Sequence, residues 1–168
     1  SISVGENFRF GYKRQGDINT IKLSIRNQNI SLNIVSLLED KYGRISSSRI
    51  RELLLNCDLD KSRKLLKRPY TFSGKVVKGK GLGKKIGFPT ANLQIDGRKF
   101  LPGEGVYAAW TFIEKSSTKI PSIMNLGPQP TIDPLSPSAV EVHLIDQNIN
   151  LYDKKLIIQP IKKFRSQI

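Results

Sequence analysis

The chain of 168 residues is long enough for one domain, or for a small domain joined to part of another. Its residues are 38% hydrophobic, and no apolar run approaches the roughly 20 residues of a membrane-spanning helix, which argues against an integral membrane protein. Cys57 is the only cysteine and His143 the only histidine, so the composition excludes an intrachain disulfide and a zinc site of such ligands. We therefore expect a protein of the reducing cytoplasm.

The net charge of +14 is the strongest compositional signal and favours a polyanionic ligand: nucleic acid, an acidic membrane surface or nucleotide phosphates. The charge is spread evenly, because residues 1–68 and 69–168 contribute equally and neither has a dense basic tail. One local concentration of lysines, between Lys75 and Lys85, contains no acidic residue. This placement favours a nucleotide site.

The hydrophobic pattern upstream of Pro69 predicts strands followed by two helices. The predicted strands are Ser1–Val4, Ile21–Arg26 and Ile30–Leu38, the last of them buried. One helix is expected to begin at Ser46–Ser48, where serine hydroxyls can cap it, and a second to run from Asp58 to Lys67. This order is typical of the end of an α/β domain. We place the boundary after residue 68, because proline disfavours helix geometry in the residue before it.

After Pro69 the hydrophobic period changes to two, and turns rich in Gly, Pro, Asn and Asp separate six short predicted strands. The six are Thr71–Val77, Thr90–Ile95, Val106–Ile113, Pro121–Leu126, Ala139–Ile145 and Lys155–Ile161. Six strands without helices predict either an antiparallel sandwich or a small closed barrel, since closure removes the exposed edges of a sheet.

The segment from Gly79 to Asn92 combines four glycines and three lysines with a threonine and an asparagine. Glycines let backbone N–H groups approach an anion, so the segment is typical of a phosphate-binding loop, although a solvated hairpin loop has the same composition. It is not a Walker A loop, because Gly81 stands where that loop needs a Ser or Thr hydroxyl. The spacing of its glycines also differs from that of dinucleotide-binding loops.

Three further places carry candidate chemistry. Thr90 and Asn92 are two residues apart in a predicted strand, so both side chains point the same way, as two ligands of one cation must. Glu141 alternates with valines in another strand, on a face that is either solvated or part of a site. Ser46–Ser48, with Arg51 one turn later, suit a phosphate at a helix start, although an N-cap is the more common explanation.

The run Gly-x-Gly-x-Gly-Lys-x-x-Gly-Phe-Pro-Thr-Ala-Asn-Leu from residue 79 resembles the riboflavin kinase family. The resemblance extends over residues 70–165 and includes Gly105–Ala108, Asn125–Gly127 with Pro130 and Thr131, and Val140–Leu144. Residues 4–11 and 45–51 resemble instead the later part of the FMN adenylyltransferase module of bacterial bifunctional FAD synthetases, and residues 68–70 resemble the junction of that family.

The resemblance implies two parts. Residues 1–68 would be the C-terminal part of an FMN adenylyltransferase domain, an incomplete, Rossmann-like α/β nucleotidyltransferase tail. Residues 69–168 would form a six-stranded antiparallel riboflavin kinase barrel that lacks its C-terminal helix. The implied function is ATP-dependent phosphorylation of riboflavin to FMN, within a bifunctional enzyme that also adenylylates FMN to FAD. Its ligands would be riboflavin, FMN, ATP and Mg²⁺, with neither nucleic acid nor a membrane as partner.

The resemblance also implies roles for individual residues. Glu141 would be the general base for the riboflavin hydroxyl. The residues implied to bind Mg²⁺ are Thr90 and Asn92, those implied to hold the ATP phosphates are Gly79, Gly81, Gly83 and Lys84, and those implied to contact nucleotide in FAD synthesis are Asn7, Phe8, Ser48 and Arg51. The resemblance implies that Asn125, Pro130 and Thr131 belong to a second loop near the active site, but they receive no individual role. One departure is Asp153, where the family usually has glycine.

A second class of function is compatible with the composition. A basic β-barrel without enzymatic activity could bind single-stranded nucleic acid, with bases stacking on Trp110, Tyr107 or Phe88. The Gly-Phe-Pro-Thr-Ala-Asn motif favours the kinase, because a stacking barrel does not need it.

Overall fold

Two compact units make up the fold, Ser1–Ser46 and Ser47–Ile168. The computed structural model describes residues 1–79, 89–127, 140–147 and 149–166. Among these residues, no helix is both long enough and apolar enough to cross a membrane. Some residues for which the sequence made predictions lie outside the described part: Gly81, Gly83, Lys84, Phe88, Pro130 and Thr131.

The first unit is a small α/β arrangement. Strand β1 (Ile2–Gly5) pairs in parallel with β2 (Leu32–Val35), and helix α1 (Ile18–Ser24) lies between them in the chain after a short 3₁₀ turn. A two-residue hairpin, β3 (Glu39–Asp40) with β4 (Gly43–Arg44), completes the unit.

Two sequence predictions for this unit were wrong. Ile21–Arg26 is not a strand, because most of it belongs to α1, which a capping box begins: the Thr20 N–H donates to Asp17 Oδ1 at 2.9 Å. The predicted strand 30–38 shortens to β2 and is not buried, since Val35 is 52% exposed. Apolar alternation correctly predicted a strand in this region, but it did not predict how far the strand's side chains are exposed.

The second unit opens with the two predicted helices. Helix α2 (Ser47–Leu55) begins among the serines, as expected. Helix α3 (Leu59–Leu66) is capped by the Asp58 carboxylate, which accepts from the Lys61 N–H at 3.0 Å. Its C-terminal end is marked by Lys67 in the left-handed conformation, with φ of 57°.

Six antiparallel strands then close into a barrel, which confirms the barrel and excludes the sandwich. The strands are β5 (Phe72–Val77), β6 (Ala91–Ile95), β7 (Gly105–Ile113), β8 (Ile120–Leu126), β9 (Val140–Leu144) and β10 (Lys155–Arg165). Their order around the barrel is β10, β5, β6, β9, β8, β7. Strand β10 runs four residues beyond its predicted end, with register shifts after Pro160 and Lys163 where it pairs with β7.

The barrel interior is filled by alternate residues of all six strands. Those with no more than 1% exposure are Leu93, Tyr107, Thr111, Met124, Leu126, Val140, Val142, Leu156 and Ile158. The Thr111 and Ser122 hydroxyls lie 2.8 Å apart, and Ser122 Oγ donates to the Ala109 carbonyl at 3.0 Å, so these buried polar groups are satisfied.

Tyr107 cannot be a base-stacking platform, because its ring is fully buried in the barrel. Its hydroxyl donates to the Gly103 carbonyl and lies 3.1 Å from Cys57 Sγ. Burial, together with the contact to Cys57, raises the pKa of Tyr107 above its usual range, so the hydroxyl stays a donor. The nucleic-acid alternative therefore loses one of its three proposed aromatic contacts.

The helices share the core of the barrel. Leu54 and Leu59 are buried in the same apolar cluster as the inward-facing strand residues, and the Gly103 N–H donates to the Leu54 carbonyl at 3.0 Å. A side chain at position 103 has no room, since its Cβ would lie 2.2 Å from the Leu55 carbonyl oxygen. The compact unit therefore begins at residue 47, while the boundary after residue 68 stays a prediction about where two sequence modules join.

Replacing Leu54 by alanine tests whether α2 belongs to the barrel. Leu54→Ala should lower the free energy of unfolding by about 2–5 kcal/mol, the usual cost of a core cavity. Leu55→Ala is the control and should stay within about 0.5 kcal/mol of wild type, since Leu55 is 57% exposed and Leu54 only 1%. Urea unfolding is followed by the fluorescence of Trp110, the only tryptophan, which lies on β7. If Leu54→Ala left the urea midpoint of the Trp110 transition unchanged, α2 would not contribute to the stability of the barrel.

Candidate active site

Three polar side chains form a row across neighbouring strands of the barrel. Glu141 on β9 is the register partner of Asn92 on β6 and of Asn125 on β8. Directly opposed residues of antiparallel strands have Cβ atoms about 4.5–5.5 Å apart, so the three side chains are neighbours. All three side chains are half-buried. They lie on the outer face of the barrel, since the residues that alternate with them, such as Val140 and Val142 on β9, are buried on the inner face. The structure thus brings the predicted base beside a predicted metal ligand.

Gly79 lies against this row. A Cβ at position 79 would come within 2.0 Å of Asn92 Nδ2 and 2.5 Å of its Cγ, so a side chain there would displace the Asn92 amide. The close approach is a packing reason for glycine at the start of the predicted phosphate loop. Of the residues implied to hold phosphates, Gly79 is the one that the described part of the chain includes.

Thr90 is placed differently from the prediction of a shared strand. Strand β6 begins at Ala91, so Thr90 is exposed just before the ladder, and Asn92 lies within it. The preceding residue is held by a side chain, because His143 Nδ1 lies 2.9 Å from the Pro89 carbonyl oxygen. Thr90 therefore stays beside the Glu141 row although no backbone pairing includes it.

A cavity of about 480 Å³ is lined by Gly79 and Thr90, whereas Asn92, Glu141 and Asn125 are not among its described lining. The other described lining residues are Val76, Val77 and Lys78 at the end of β5, Pro89 and Ala91, Val142 and Leu144 of β9, and residues 147 and 149–152. Val77, Ile149 and Leu151 supply apolar wall, and Thr90 supplies a hydroxyl. This size and mixture suit a small-molecule ligand with a flat apolar part and a polar end.

Three larger cavities lie elsewhere on the second unit. One of about 600 Å³ is lined by residues 71–73, 96, 98, 99 and 157, one of about 660 Å³ lies beside Leu55 and residues 100–104, and one of about 500 Å³ lies along α3. None of the predicted site residues is among the described lining of these three cavities. Size alone would therefore select the wrong place, and we assign the site from the converging polar side chains.

Asp153 takes the backbone conformation that explains the family's usual glycine. Its φ is 65°, in the left-handed region that glycine adopts most easily and aspartate tolerates. Its carboxylate lies 2.7 Å from Lys75 Nζ, and this hydrogen bond and charge raise the pKa of Lys75 above its usual range. One lysine of the predicted cluster is thus paired with a carboxylate.

The residues predicted to contact a second nucleotide are divided between the two units. In the first unit, the Asn7 amide oxygen accepts from both terminal nitrogens of Arg44 at 3.1 Å, and Phe8 stacks on Phe10 with ring centroids 5.8 Å apart. In the second unit, Ser48 is exposed at the start of α2, and the Arg51 guanidinium lies 6.0 Å from the centre of the Phe100 ring. None of these four residues is among the described lining of the 480 Å³ cavity.

Asn125 is the residue to which sequence reasoning gave no individual role. Alternation along β8 puts it on the outer face, but the linear sequence does not show that Glu141 is its neighbour. Its Oδ1 atom is buried and makes no hydrogen bond within the part of the chain that the structure describes. A buried acceptor without a donor is uncommon, and here it lies beside the predicted base.

Comparison with known proteins identifies the family. The model of the riboflavin kinase family, Flavokinase, matches residues 66–168. The chain belongs to the riboflavin kinase family. This match covers the whole barrel and begins within α3, close to the predicted junction after residue 68.

Curated relatives match almost the whole chain. It is 39% identical to the bifunctional riboflavin kinase/FMN adenylyltransferase of Buchnera aphidicola subsp. Schizaphis graminum, over 99% of the chain and 53% of that protein. It is 37% identical to the protein of the same name from Haemophilus influenzae, with the same coverage, and 32% identical to that of Escherichia coli K12, of which it covers 52%. The chain spans about half the length of the curated relatives it matches.

One solved structure has the same fold under another name. A macrolide-efflux protein from Streptococcus pneumoniae superposes with a TM-score of 0.78 at 29% identity, over 98% of this chain and 52% of that one. Its name disagrees with those of the sequence relatives. We rely on the family match and the curated relatives, because they agree with each other over residues 66–168.

Replacing Gly79 by alanine tests its packing against Asn92. Gly79→Ala should lower the free energy of unfolding by about 1–3 kcal/mol, the usual cost of overpacking, because the new Cβ overlaps the Asn92 amide. In an Asn92→Ala background the same substitution should cost much less, since the overlapping atoms are gone. Urea unfolding of the four proteins gives the coupling. Equal costs in both backgrounds would contradict the contact.

Proposed function

We propose that the barrel catalyses ATP-dependent phosphorylation of riboflavin to FMN, with Glu141 as general base. The observation that carries this proposal is the row Asn92, Glu141 and Asn125, in which Asn92 packs against Gly79. Gly79 lines the 480 Å³ cavity together with Thr90. Family membership supports the choice of substrate class, because the matched family is named for riboflavin phosphorylation.

In the proposed reaction the Glu141 carboxylate accepts the proton of the riboflavin 5′-hydroxyl. The hydroxyl oxygen forms a bond to the γ-phosphorus of ATP while the bond from that phosphorus to the β,γ-bridging oxygen breaks, and ADP leaves. Phosphoryl transfer depends mostly on positioning and charge neutralisation, so Glu141 is one contributor among several. Its register partners on the two neighbouring strands are uncharged, Asn92 on β6 and Asn125 on β8.

The donor set fits Mg²⁺ as the metal. Thr90 and Asn92 offer a hydroxyl and an amide oxygen, which are hard ligands, and the described residues contain no cluster of three or more His, Cys, Asp or Glu side chains. Such a sparse site suits Mg²⁺, which keeps several waters and binds through few protein ligands plus substrate phosphates. When bound, it neutralises charge on the transferring phosphate. The chain's own part is to hold Thr90 and Asn92 on the side of Glu141.

We assign the 480 Å³ cavity to the nucleoside of ATP. Its apolar walls at Val77, Ile149 and Leu151 suit the flat face of a base, and Gly79 at its edge leads into the segment with Gly81, Gly83 and Lys84. We infer that this segment holds the phosphates through backbone N–H groups and charge.

We infer that the first unit belongs to a larger α/β nucleotidyltransferase domain, which in the curated relatives would convert FMN to FAD. Parallel strands normally lie in sheets covered on both faces, whereas the parallel pair β1 and β2 leaves Ile34 and Val35 exposed. In this proposal Asn7 and Phe8 of the first unit contact the nucleotide of the second reaction. The names of the relatives support it, since each includes FMN adenylyltransferase.

The decisive assay mixes the full chain with riboflavin, ATP and Mg²⁺ and separates the flavins by chromatography. FMN formation that requires ATP and a divalent metal is the expected result. The comparisons give no support to the alternative, a non-enzymatic barrel that binds single-stranded nucleic acid. That alternative predicts tight, metal-independent oligonucleotide binding that weakens steeply with salt and that excess Mg-ATP does not affect.

Glu141→Gln tests the general base. The substitution keeps the shape and hydrogen-bonding capacity of the side chain but removes its basicity, so FMN formation should slow by about 10²–10⁴-fold. Calorimetric titration with Mg-ADP should show nearly unchanged affinity. Glu114→Gln is the matched control, because Glu114 only forms an exposed ion pair with Lys155 at 3.3 Å. If Glu141→Gln turned over as fast as the control, Glu141 would not be the general base, and its side chain would only face solvent on its strand.

Asn125→Leu tests whether the Asn125 oxygen, which accepts no hydrogen bond from the described residues, binds a substrate hydroxyl. Removing a buried, unsatisfied oxygen should raise the free energy of unfolding by about 1 kcal/mol, while kcat/KM for riboflavin should fall about tenfold through loss of one hydrogen bond. Thr111→Val is the contrast, since its hydroxyl is satisfied by Ser122 and its loss should lower stability by about 1 kcal/mol. Urea unfolding and steady-state kinetics give both quantities. A lower free energy of unfolding in Asn125→Leu would contradict the interpretation that the Asn125 oxygen is buried without a hydrogen-bond donor.

A further inference from the structure

The contact between His143 and Pro89 continues a strand pairing beyond the point where its backbone hydrogen bonds stop. Among the described residues, the ladder between β6 and β9 contains three register pairs, of which Ala91 with Val142 is the last toward the start of β6. One step further, the register would place Thr90 opposite His143. No ladder pair forms there, and the His143 imidazole instead lies 2.9 Å from the Pro89 carbonyl oxygen.

The chemistry of the two groups defines which atom donates. Proline has no backbone N–H, so Pro89 can offer β9 only its carbonyl oxygen, which is an acceptor. His143 Nδ1 must therefore carry the hydrogen in this contact. In a neutral imidazole that requirement selects the Nδ1–H tautomer, so the hydrogen bond orients the ring as well as the carbonyl.

The held carbonyl restrains the residue that follows it. The Pro89 carbonyl and the Thr90 nitrogen belong to one planar peptide group, so a hydrogen bond to the oxygen limits the orientation of the whole group. Thr90 is exposed and lies outside the ladder, whereas Asn92 is held within β6 by pairing on both sides. The described structure thus holds Asn92 by backbone pairing and holds the approach to Thr90 by one side chain.

We propose that His143 is a positioning residue that aligns the Pro89–Thr90 peptide, so that the Thr90 hydroxyl and the Asn92 amide oxygen converge on one Mg²⁺-nucleotide. This role rests on the proposed function and deepens it. His143 shares its strand face with Glu141, and that placement alone would also suit a second catalytic base. The bond to a main-chain carbonyl assigns it to support instead, because the nitrogen that faces Pro89 is committed as a donor.

Three substitutions distinguish the effect of losing the hydrogen-bond donor at the Nδ1 position from the effect of losing the imidazole ring. The Asn amide nitrogen occupies about the place of imidazole Nδ1, so His143→Asn keeps a donor within reach of the Pro89 carbonyl. The Gln amide reaches instead to the place of Nε2, so His143→Gln removes the donor at Nδ1 but keeps a polar side chain. His143→Ala removes both.

The kinetic test measures the split between KM and kcat. His143→Ala and His143→Gln should raise the KM for Mg-ATP and the Mg²⁺ concentration for half-maximal rate by about 10–100-fold, the usual effect of losing a support of metal ligands. The KM for riboflavin should stay near that of wild type, and His143→Asn should recover most of the loss. Equal kinetics in all four proteins would overturn the proposal, and so would His143→Asn behaving like His143→Ala.

Two readouts do not require turnover. His143 is the only histidine, so ¹⁵N NMR of the imidazole at about pH 8.5, where an ordinary histidine is neutral, gives a single set of signals. The expected signals are those of the Nδ1–H tautomer, and the Nε2–H tautomer would overturn the proposal. Calorimetric titration with Mg-ADP should show weaker binding in His143→Ala and recovery in His143→Asn.

These measurements also distinguish failure of the proposed kinase function from failure of the positioning role of His143. If the wild-type chain binds Mg-ADP through the His143-dependent contact but makes no FMN, the proposed function fails and the positioning role stands. If wild type makes FMN while Mg-ADP affinity is the same in His143→Ala, the positioning role fails and the proposed function stands.

Discussion

The site depends on how β9 is paired between β6 and β8. Strand β9 is only five residues long, and Val140, Val142 and Leu144 on its inner face are buried in the barrel. A slip of one residue would move Glu141 into this core and the valines out of it, so burial of the apolar face specifies the register strongly. That register places Glu141 beside two asparagines. Barrel closure is therefore a constraint on the chemistry as well as on stability.

Close backbone approaches hold other parts of the same unit in place. Gly79 leaves room for the Asn92 amide, and Gly103 leaves room for the end of α2 where its N–H meets the Leu54 carbonyl. In both places a methyl group would overlap atoms that have little freedom to move. The two glycines are thus required for packing, one at the site and one where the helices join the core.

The polar groups of the barrel fall into two kinds. Thr111 and Ser122 are buried and satisfy each other, as expected for a stable interior. Asn125 is half-buried on the outer face, and its amide oxygen lacks a donor among the described residues. A site prepared for a ligand retains unsatisfied groups of this kind, at a cost in stability. The pairing of Lys75 with Asp153 shows the opposite case, in which a charge expected to serve a ligand is already matched within the fold.

The sequence by itself determined the strand-rich second part, the two helices before it and the residue types of the site. Apolar alternation, helix caps and the Gly-Phe-Pro-Thr-Ala-Asn motif are local signals, and local signals survive without tertiary contacts. They failed at Ile21–Arg26, where the capping box at Asp17 outweighs alternation and begins a helix. They also do not show that Asn125 on β8 is the register partner of Glu141 on β9.

Only the tertiary structure decided which distant side chains meet. Alternation assigns Asn92, Glu141 and Asn125 to an outer face, but it does not say which strands are neighbours or in which register. Those choices follow from closing six strands around one core, a property of all the inward-facing residues together. The bond from His143 to Pro89 exists for the same reason, because it forms only where β9 passes the start of β6.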